Sequence, residues 1–255
     1  MQCPLCNKRL FEKTDDKKNK VLRCDNNHSF DISKYGYVNL LVSKTGSGDN
    51  KGMIKSRHEF LKKDYYLDLA LFIKNIIKEY KISKVLDLGC GEGYFDRILK
   101  DENTLIYGLD ISKDAITIAS KMDHSIKYVV ASSFSAPFAD KYFDLVLSMF
   151  APMDEKEAAR LTSSYLIKVI PNENHLIELK EKLYKDIRPT KILKEELANF
   201  KLIKEENIKY KRYVEDITAL FKMTPYFYTT HNNFEVDLKP MDVTFDFIVR
   251  IYKCN

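Results

Sequence analysis

The chain has 255 residues, of which 45% are hydrophobic and 31% are charged. That composition is typical of a globular protein and excludes a disordered or fibrous chain, and no apolar run approaches the roughly 20 residues that a membrane-spanning helix needs. Lysine and arginine outnumber the acidic residues by 42 to 37, which permits a polyanionic partner without requiring one. The chain starts with polar residues and lacks the apolar stretch of a secretion signal, so we expect a cytoplasmic protein.

The N-terminal segment carries two pairs of metal-ligating residues. Cys3 and Cys6 form a CxxC knuckle, and Cys24 and His28 supply a second pair in the pattern C-x2-C-x17-C-x3-H. Zinc prefers four soft or borderline ligands in a tetrahedron, and a site closed by four protein ligands is structural. Because so short a segment buries little core, bound metal would supply its folding energy. A redox CxxC pair beside an unrelated cysteine is the alternative, but the βαβ pattern of redox folds is absent.

Two stretches of unusual composition follow the finger. Residues 30–41 are rich in aromatic and basic groups, which suits phosphate contact and base stacking, although Tyr35 and Tyr37 suit packing of the finger onto its neighbour equally well. Residues 43–52 are small, polar and rich in glycine, which is typical of a loop at a module boundary. We therefore divide the chain into a zinc-binding finger over 1–35, a linker or RNA-contacting segment over 36–58 and a catalytic domain over 59–255.

The catalytic part opens with helical periodicity over residues 55–80 and then a short apolar strand over 83–88. The strand runs into Asp-Leu-Gly-Cys-Gly-Glu-Gly over residues 87–93, and we expect a helix to begin near Tyr94. Glycines in such a turn permit positive φ and close approach of the backbone to a ligand, and the helix N-terminus exposes N–H groups. A second strand over 105–110 ends in Asp110, about 20 residues past the turn, as expected for an acid that binds ribose hydroxyls.

Two cofactors compete for this turn. A nicotinamide dinucleotide is usually held by Gly-x-Gly-x-x-Gly, whereas the spacing here is Gly-x-Gly-x-Gly and Asp87 precedes it. That acid is suited to ordering the loop and to meeting the cationic amino-acid end of S-adenosylmethionine, which we therefore favour. The cofactor-binding residues that the motif predicts are Asp87, Gly89, Gly91, Gly93 and Asp110.

Strands and helices continue to alternate toward the C-terminus. Ser132 and Ser133 follow the third strand at its carboxyl end, where a hydroxyl can bind the adenine amine and Phe134 can cover the ring. His175 follows the fifth strand at the same edge and is a candidate contact to cofactor or substrate. The predicted elements are a helix over 113–122, strands over 126–131 and 143–150, a helix over 155–164, a strand over 165–171 and a terminal strand over 243–252.

These elements predict an α/β fold of the Rossmann-like class I methyltransferase type, with a small N-terminal zinc finger. We expect a seven-stranded, mostly parallel sheet in which the last strand is antiparallel.

Together with the finger ligands, two further motifs are specific in combination, Gly-Tyr-Val-Asn-Leu-Leu at 36–41 and Gly-Cys-Gly-Glu-Gly-Tyr at 89–94. A further matching piece is Met-Thr-Pro at 223–225. With them, essentially the whole chain resembles the bacterial large-subunit ribosomal RNA guanine-N1 methyltransferases of the RlmA type. One departure is Ser163-Ser164, which stands where many methyltransferases carry a Pro-Gly-Gly turn and puts that local turn in doubt.

The resemblance implies zinc at the four finger ligands and cofactor contacts from Tyr66, Gly91, Glu92 and His175. It implies guanine N1 in a hairpin of 23S ribosomal RNA as the target, and often a homodimer whose fingers flank the RNA. Guanine N1 holds a proton at neutral pH, and Asp49 and water are the candidate acceptors, so no catalytic residue is assigned. A small-molecule methyltransferase with a zinc-stapled lid and a non-catalytic RNA-binding protein are the alternatives.

Overall fold

The computed structural model describes residues 1–42, 50–184, 187, 192, 195–224, 226–229 and 238–255, apart from the side chains of 228 and 229. Its N-terminal part is a three-stranded antiparallel sheet formed by β1 (Phe11–Thr14), β2 (Lys20–Arg23) and β3 (Ser29–Asp31). The central strand β2 buries Val21 and Leu22, whereas every residue of β1 is exposed. The finger therefore has very little core of its own, as its length predicts.

A larger sheet organises the rest of the chain. Its strands are β4 (Val38–Asn39), β5 (Lys84–Leu88), β6 (Leu105–Asp110), β7 (Lys127–Val130), β8 (Phe143–Met149), β9 (Thr162–Pro171), β10 (Phe200–Val214) and β11 (Met241–Cys254). They lie in the order β10-β11-β9-β8-β5-β6-β7-β4. Strand β11 is antiparallel to both of its neighbours, and the other pairs are parallel. The carboxyl ends of β5, β6, β7 and β8 therefore meet at one edge.

Helices connect and cover these strands. They are α1 (Lys51–Leu61), α2 (Leu67–Glu79), α3 (Tyr94–Leu99), α4 (Lys113–Met122), α5 (Glu155–Leu161), α6 (Ile177–Leu183), α7 (Ile217–Met223) and α8 (Tyr226–Thr229). Four of them begin at a polar side chain that accepts a backbone N–H of the first turn, a common N-cap: Asn50, Ser112, Asp154 and Asp216. Within the described ranges, no helix has the length and apolar character that crossing a membrane requires.

The class I methyltransferase fold is confirmed, with its antiparallel last strand. Within the described ranges the sheet has eight strands rather than seven, because Val38 and Asn39 pair in parallel with Val129 and Val130. Tyr37, Val38 and Leu40 are all buried, so this part of the predicted linker completes the sheet edge. No prediction had named strand β10, whose residues are mostly exposed and lack a clear apolar alternation.

The largest difference between predicted and observed element boundaries lies where helix α5 meets β9. Helix α5 ends at Leu161 rather than at 164, and the chain passes directly into β9. Ser163 is part of that strand, where its hydroxyl donates to the Phe143 carbonyl at 3.0 Å. The departure from the Pro-Gly-Gly turn therefore coincides with a strand that begins three residues earlier than expected.

The finger and the large sheet share a hydrophobic core. Leu10 and Leu22 of the finger belong to the same buried cluster as Leu86 and Leu88 of β5. A backbone hydrogen bond of 2.7 Å from the Gln2 N–H to the Pro137 carbonyl adds a polar contact. The finger is thus packed onto the face of the sheet and is not an appended, separate module.

Candidate active site and metal centre

The glycine-rich turn after β5 needs its glycines for different reasons. Gly89, Gly91 and Gly93 all have positive φ, at 83°, 56° and 74°. A Cβ on Gly89 would collide with Ala151, and one on Gly93 would collide with Tyr128. A Cβ on Gly91 would meet nothing within 4 Å. Gly89 and Gly93 therefore permit tight internal packing, whereas Gly91 faces open space that a ligand can occupy.

Asp110 fixes the shape of this turn from the neighbouring strand. Its Oδ2 accepts the Gly91 N–H at 2.9 Å, and its Oδ1 accepts the Ser112 N–H at 2.7 Å. Ser112 in turn caps helix α4. One carboxylate thus connects the end of β6, the glycine turn and the next helix, and it lies at the carboxyl edge where ligands bind in open α/β sheets.

Two buried acids lie behind the turn. Asp87 and Asp96 are 2% and 0% exposed. Burial raises the pKa of Asp87 well above its usual range, and Asp96 nearby raises it further. Burial likewise raises the pKa of Asp96, to about 7. Asp87 Oδ1 has no hydrogen-bond partner within the described part of the chain. Burial therefore favours the protonated form of both acids, and an arriving cation would favour release of their protons.

The turn opens into a cavity of about 760 Å³, within the usual range of about 300–1,000 Å³ for small-molecule sites. The cavity brings together residues from five strand ends and from helix α1. Nine of the ten predicted cofactor residues line it: Tyr66, Asp87, Gly89, Gly91, Glu92, Asp110, Ser132, Ser133 and His175. Gly93 is not a lining residue, since it lies at the start of α3 against Tyr128.

The two serines after β7 form part of a polar rim. Ser132 Oγ accepts the Phe134 N–H at 3.2 Å, and Ser133 Oγ lies 3.5 Å from the Pro152 carbonyl. The Phe134 side chain is 57% exposed and lines the cavity. The arrangement is compatible with hydroxyl and aromatic contacts to a heteroaromatic ring. Binding of such a ring by these residues stays a prediction.

Glu92 is bound by groups that sequence reasoning missed. It is 2% exposed, and its Oε2 lies 2.8 Å from His58 Nδ1 and 3.1 Å from Arg97 Nη2. Arg97 also donates to the Glu92 carbonyl at 2.7 Å. The buried carboxylate thus connects helix α1 to the glycine turn and to α3. Arg97 follows Glu92 by five residues and was detectable from the sequence, whereas no local signal pointed to His58.

His175 is held in a defined, neutral state. Burial, with a smaller contribution from Lys180, lowers its pKa to about 3. Its Nδ1 lies 3.3 Å from the Asp246 N–H and accepts from it, which leaves the proton on Nε2. That nitrogen is 3.5 Å from the hydroxyl of Tyr66, whose pKa is raised by burial. The pair therefore offers neutral hydrogen-bond donors to the cavity, and neither group is poised as a base near neutral pH.

The four finger ligands converge as predicted. One ligand atom from each of Cys3, Cys6, Cys24 and His28 lies within 4.8 Å of every other. The Cys6 and Cys24 sulfurs are 3.7 Å apart, which matches the edge of about 3.8 Å in a tetrahedron with zinc–sulfur bonds of about 2.3 Å. The donor set therefore fits zinc, and all four tetrahedral positions are supplied by protein. Asp49, the candidate proton acceptor, lies outside the described residues.

Comparison with known proteins agrees with both halves of this description. Residues 1–45 match the family model of the RlmA N-terminal zinc ribbon, and residues 86–164 match a methyltransferase domain. The "Putative 23S rRNA (guanine-N(1)-)-methyltransferase YxjB" of Bacillus subtilis is 33% identical over 72% of this chain and 69% of its own length. The 23S rRNA (guanine(748)-N(1))-methyltransferase of Streptomyces fradiae is 27% identical over 82% of this chain and 78% of its own.

Proposed function

We propose that this chain, which belongs to the RlmA-type family of ribosomal RNA methyltransferases, methylates N1 of a guanine in a hairpin of 23S ribosomal RNA. The family uses S-adenosylmethionine and a structural zinc, and the residues for both are present here. The observation that supports the proposal is that one buried cluster joins the zinc ribbon to strands β5 and β6, whose carboxyl ends line the cofactor cavity.

The cavity residues suit a cofactor with a cationic end and a ribose. Asp87 offers an unpartnered carboxylate oxygen, and the open space at Gly91 admits a ligand to the backbone. Asp110, already hydrogen-bonded to the turn, is placed to accept from ribose hydroxyls at the end of β6. Bound S-adenosylmethionine supplies a methyl group on a positively charged sulfonium. The protein's contribution is orientation and exclusion of water, for which the largely apolar lining is suited.

Transfer to guanine N1 releases the proton that N1 carries, so an acceptor is required. Among the described acids of the lining, Glu92 is paired with His58 and Arg97, and Asp110 accepts two backbone N–H groups. The third, Asp87, is buried behind the turn, where its proposed role is to meet the cationic end of the cofactor. His175 has its pKa depressed to about 3 by burial and is a weak base. Because these side chains already have other roles or are weak bases, water is the favoured acceptor of the guanine N1 proton. Asp49 is the alternative.

We assign RNA contact to the finger over 1–35 and the segment over 36–58, and the chemistry to residues 59–255. Lys34 and Lys121 both lie over the ring of the half-buried Tyr35, at 5.0 and 4.8 Å from its centroid. Cations from the finger segment and from helix α4 thus lie side by side, an arrangement suited to contact with phosphate groups. The proposed substrate places the protein in the cytoplasm, and a homodimer with RNA between its fingers remains part of the proposal.

Tritium transfer from labelled S-adenosylmethionine tests the proposal. Purified zinc-loaded protein, incubated with deproteinised 23S ribosomal RNA from a strain lacking its gene, should label the RNA, and nucleoside mass spectrometry should identify 1-methylguanosine. Asp110→Ala is the control and should reduce the label. Label confined to small metabolites would support the zinc-stapled small-molecule enzyme instead. RNA binding without any transfer would support a non-catalytic binding protein.

A further inference from the structure

The turn that follows β8 has a backbone conformation that its sequence does not favour. Phe150 has φ of 58°, in the left-handed region, where a bulky side chain costs about 1–2 kcal/mol relative to the ordinary helical region. Glycine would adopt this conformation without strain, yet a phenylalanine is present. A strained backbone that is retained at a cavity is a reason to ask what the side chain does there.

The surrounding structure fixes this turn firmly. The Phe150 N–H donates to the Val169 carbonyl at 3.1 Å, and the Ser148 hydroxyl donates to the Ala151 carbonyl at 3.1 Å. Ala151 lies so close to Gly89 that any side chain at Gly89 would collide with it. The turn is therefore in contact with the glycine loop itself, and its position relative to the cofactor cavity is set by backbone packing.

Three aromatic rings fix the orientation of the Phe150 side chain. Tyr66 meets it edge to face, with centroids 6.0 Å apart and an interplanar angle of 86°. Phe247 and Phe95 lie at 5.4 and 6.4 Å. Despite these neighbours, Phe150 is 41% exposed and lines the cavity. A supported ring with an uncovered surface next to the cofactor loop is a platform for another flat group.

From this geometry we infer that Phe150 is the stacking platform for the target guanine, an inference that rests on the proposed function. A base must leave its own stack to reach the cavity, and an aromatic side chain restores part of the lost stacking energy. Stacking of a base on a protein ring contributes about 1–3 kcal/mol, so the platform compensates for its own backbone strain in the complex. Contact between Ala151 and Gly89 places the stacked base beside the cofactor loop.

Substitution separates this role from a role in cofactor binding. Phe150→Leu keeps an apolar side chain but removes the ring, and Phe150→Tyr keeps the ring. We expect Phe150→Leu to lower single-turnover methylation of 23S RNA, at subsaturating RNA, by about 5- to 150-fold, which is the stacking energy expressed as a ratio. Phe150→Tyr should retain the wild-type rate, and calorimetric affinity for S-adenosylhomocysteine should not change in either variant.

A matched control is Tyr213→Leu, since Tyr213 is 60% exposed on β10 and does not line the cavity. Equal methylation by Phe150→Leu and wild type would overturn the inference. So would a parallel loss of S-adenosylhomocysteine affinity, because the ring would then serve the cofactor. A Phe150→Tyr variant as slow as Phe150→Leu would also overturn it.

A measurement on the unaltered protein removes any dependence on the folding of variants. RNA carrying 6-thioguanosine at the methylated position should crosslink under ultraviolet light to the peptide that contains Phe150. A crosslink only to other peptides would contradict the platform. Failure of the wild-type protein to label 23S RNA at all would instead refute the proposed function, so the two failures are distinguishable.

Discussion

The zinc site and the cofactor cavity are stabilised in opposite ways. In the finger, four side chains are placed to saturate one ion, and apart from its contact with the large sheet the segment has little core of its own, because β1 is fully exposed. In the cavity, the surrounding fold holds groups whose positions cost folding free energy. These are buried acids, residues with left-handed backbone and an unpartnered carboxylate oxygen. The finger therefore depends on its metal to fold, whereas the cavity is preorganised by the folding energy of the whole sheet.

The largest expected effect is on the metal side. Cys24→Ser should abolish stoichiometric zinc binding and lower the melting temperature by on the order of 10 °C, because structural zinc contributes on the order of 10 kcal/mol in isolated fingers. Hydrogen exchange should show lost protection in β2 and retained protection in β5. Cys254→Ser is the control, since Cys254 lies outside the ligand cluster. Retained protection of β2 without zinc would show that the finger folds independently of its metal.

A smaller effect is expected at the buried carboxylate of Glu92. Arg97→Met removes its guanidinium partner and leaves the buried carboxylate with His58 as its remaining described side-chain partner. We expect a loss of about 3 kcal/mol of unfolding free energy, at the lower end of the range for a broken buried pair. Arg212→Met is the matched control, because the Arg212–Asp68 pair is exposed and should contribute less than about 1 kcal/mol. Urea denaturation measures both. Equal losses of unfolding free energy in the two variants would show that the buried site of Glu92 tolerates a charge without its guanidinium partner.

The next prediction concerns the pH dependence of stability that arises from the two buried acids behind the glycine turn, Asp87 and Asp96. The pKa of Asp96 is raised to about 7 by burial, so its favourable contribution is complete below about pH 4 and is lost as pH rises through 7. Asp96→Asn should therefore stabilise the protein by about 1–3 kcal/mol at pH 8 and change little at pH 4. Thermal melts across that range measure the difference. A variant whose advantage grows toward acid would reverse the assigned sign.

The sequence predicted features whose spacing alone encodes them. The four zinc ligands and the glycine turn lie in short segments, and their residue types specify the geometry locally. His58 could not be predicted, because it reaches Glu92 across 34 positions through the packing of α1. Strand β10 was not predicted, because an exposed edge strand needs no apolar alternation. The backbone conformation of Phe150 is set by contacts with neighbouring strands, so no local sequence pattern predicts it.

The smallest expected effect on stability separates backbone strain from ligand contact. Gly91→Ala places a methyl group in open space at a φ of 56°, so about 1 kcal/mol of strain is expected without a clash. Gly36→Ala has the same open surroundings and a φ of 92°, but Gly36 does not line the cavity. Both variants should lose a similar amount of unfolding free energy.

Calorimetry with S-adenosylhomocysteine then distinguishes the two glycines. Gly91→Ala should weaken binding by about tenfold or more, since the added methyl occupies space that the cofactor needs and each tenfold corresponds to about 1.4 kcal/mol. Gly36→Ala should bind as the wild type does. Equal affinity in both variants would mean that the cofactor does not approach the turn at Gly91, and the open space there would then need another occupant. Equal weakening would instead trace the effect to general strain, because Gly36 is remote from the lining.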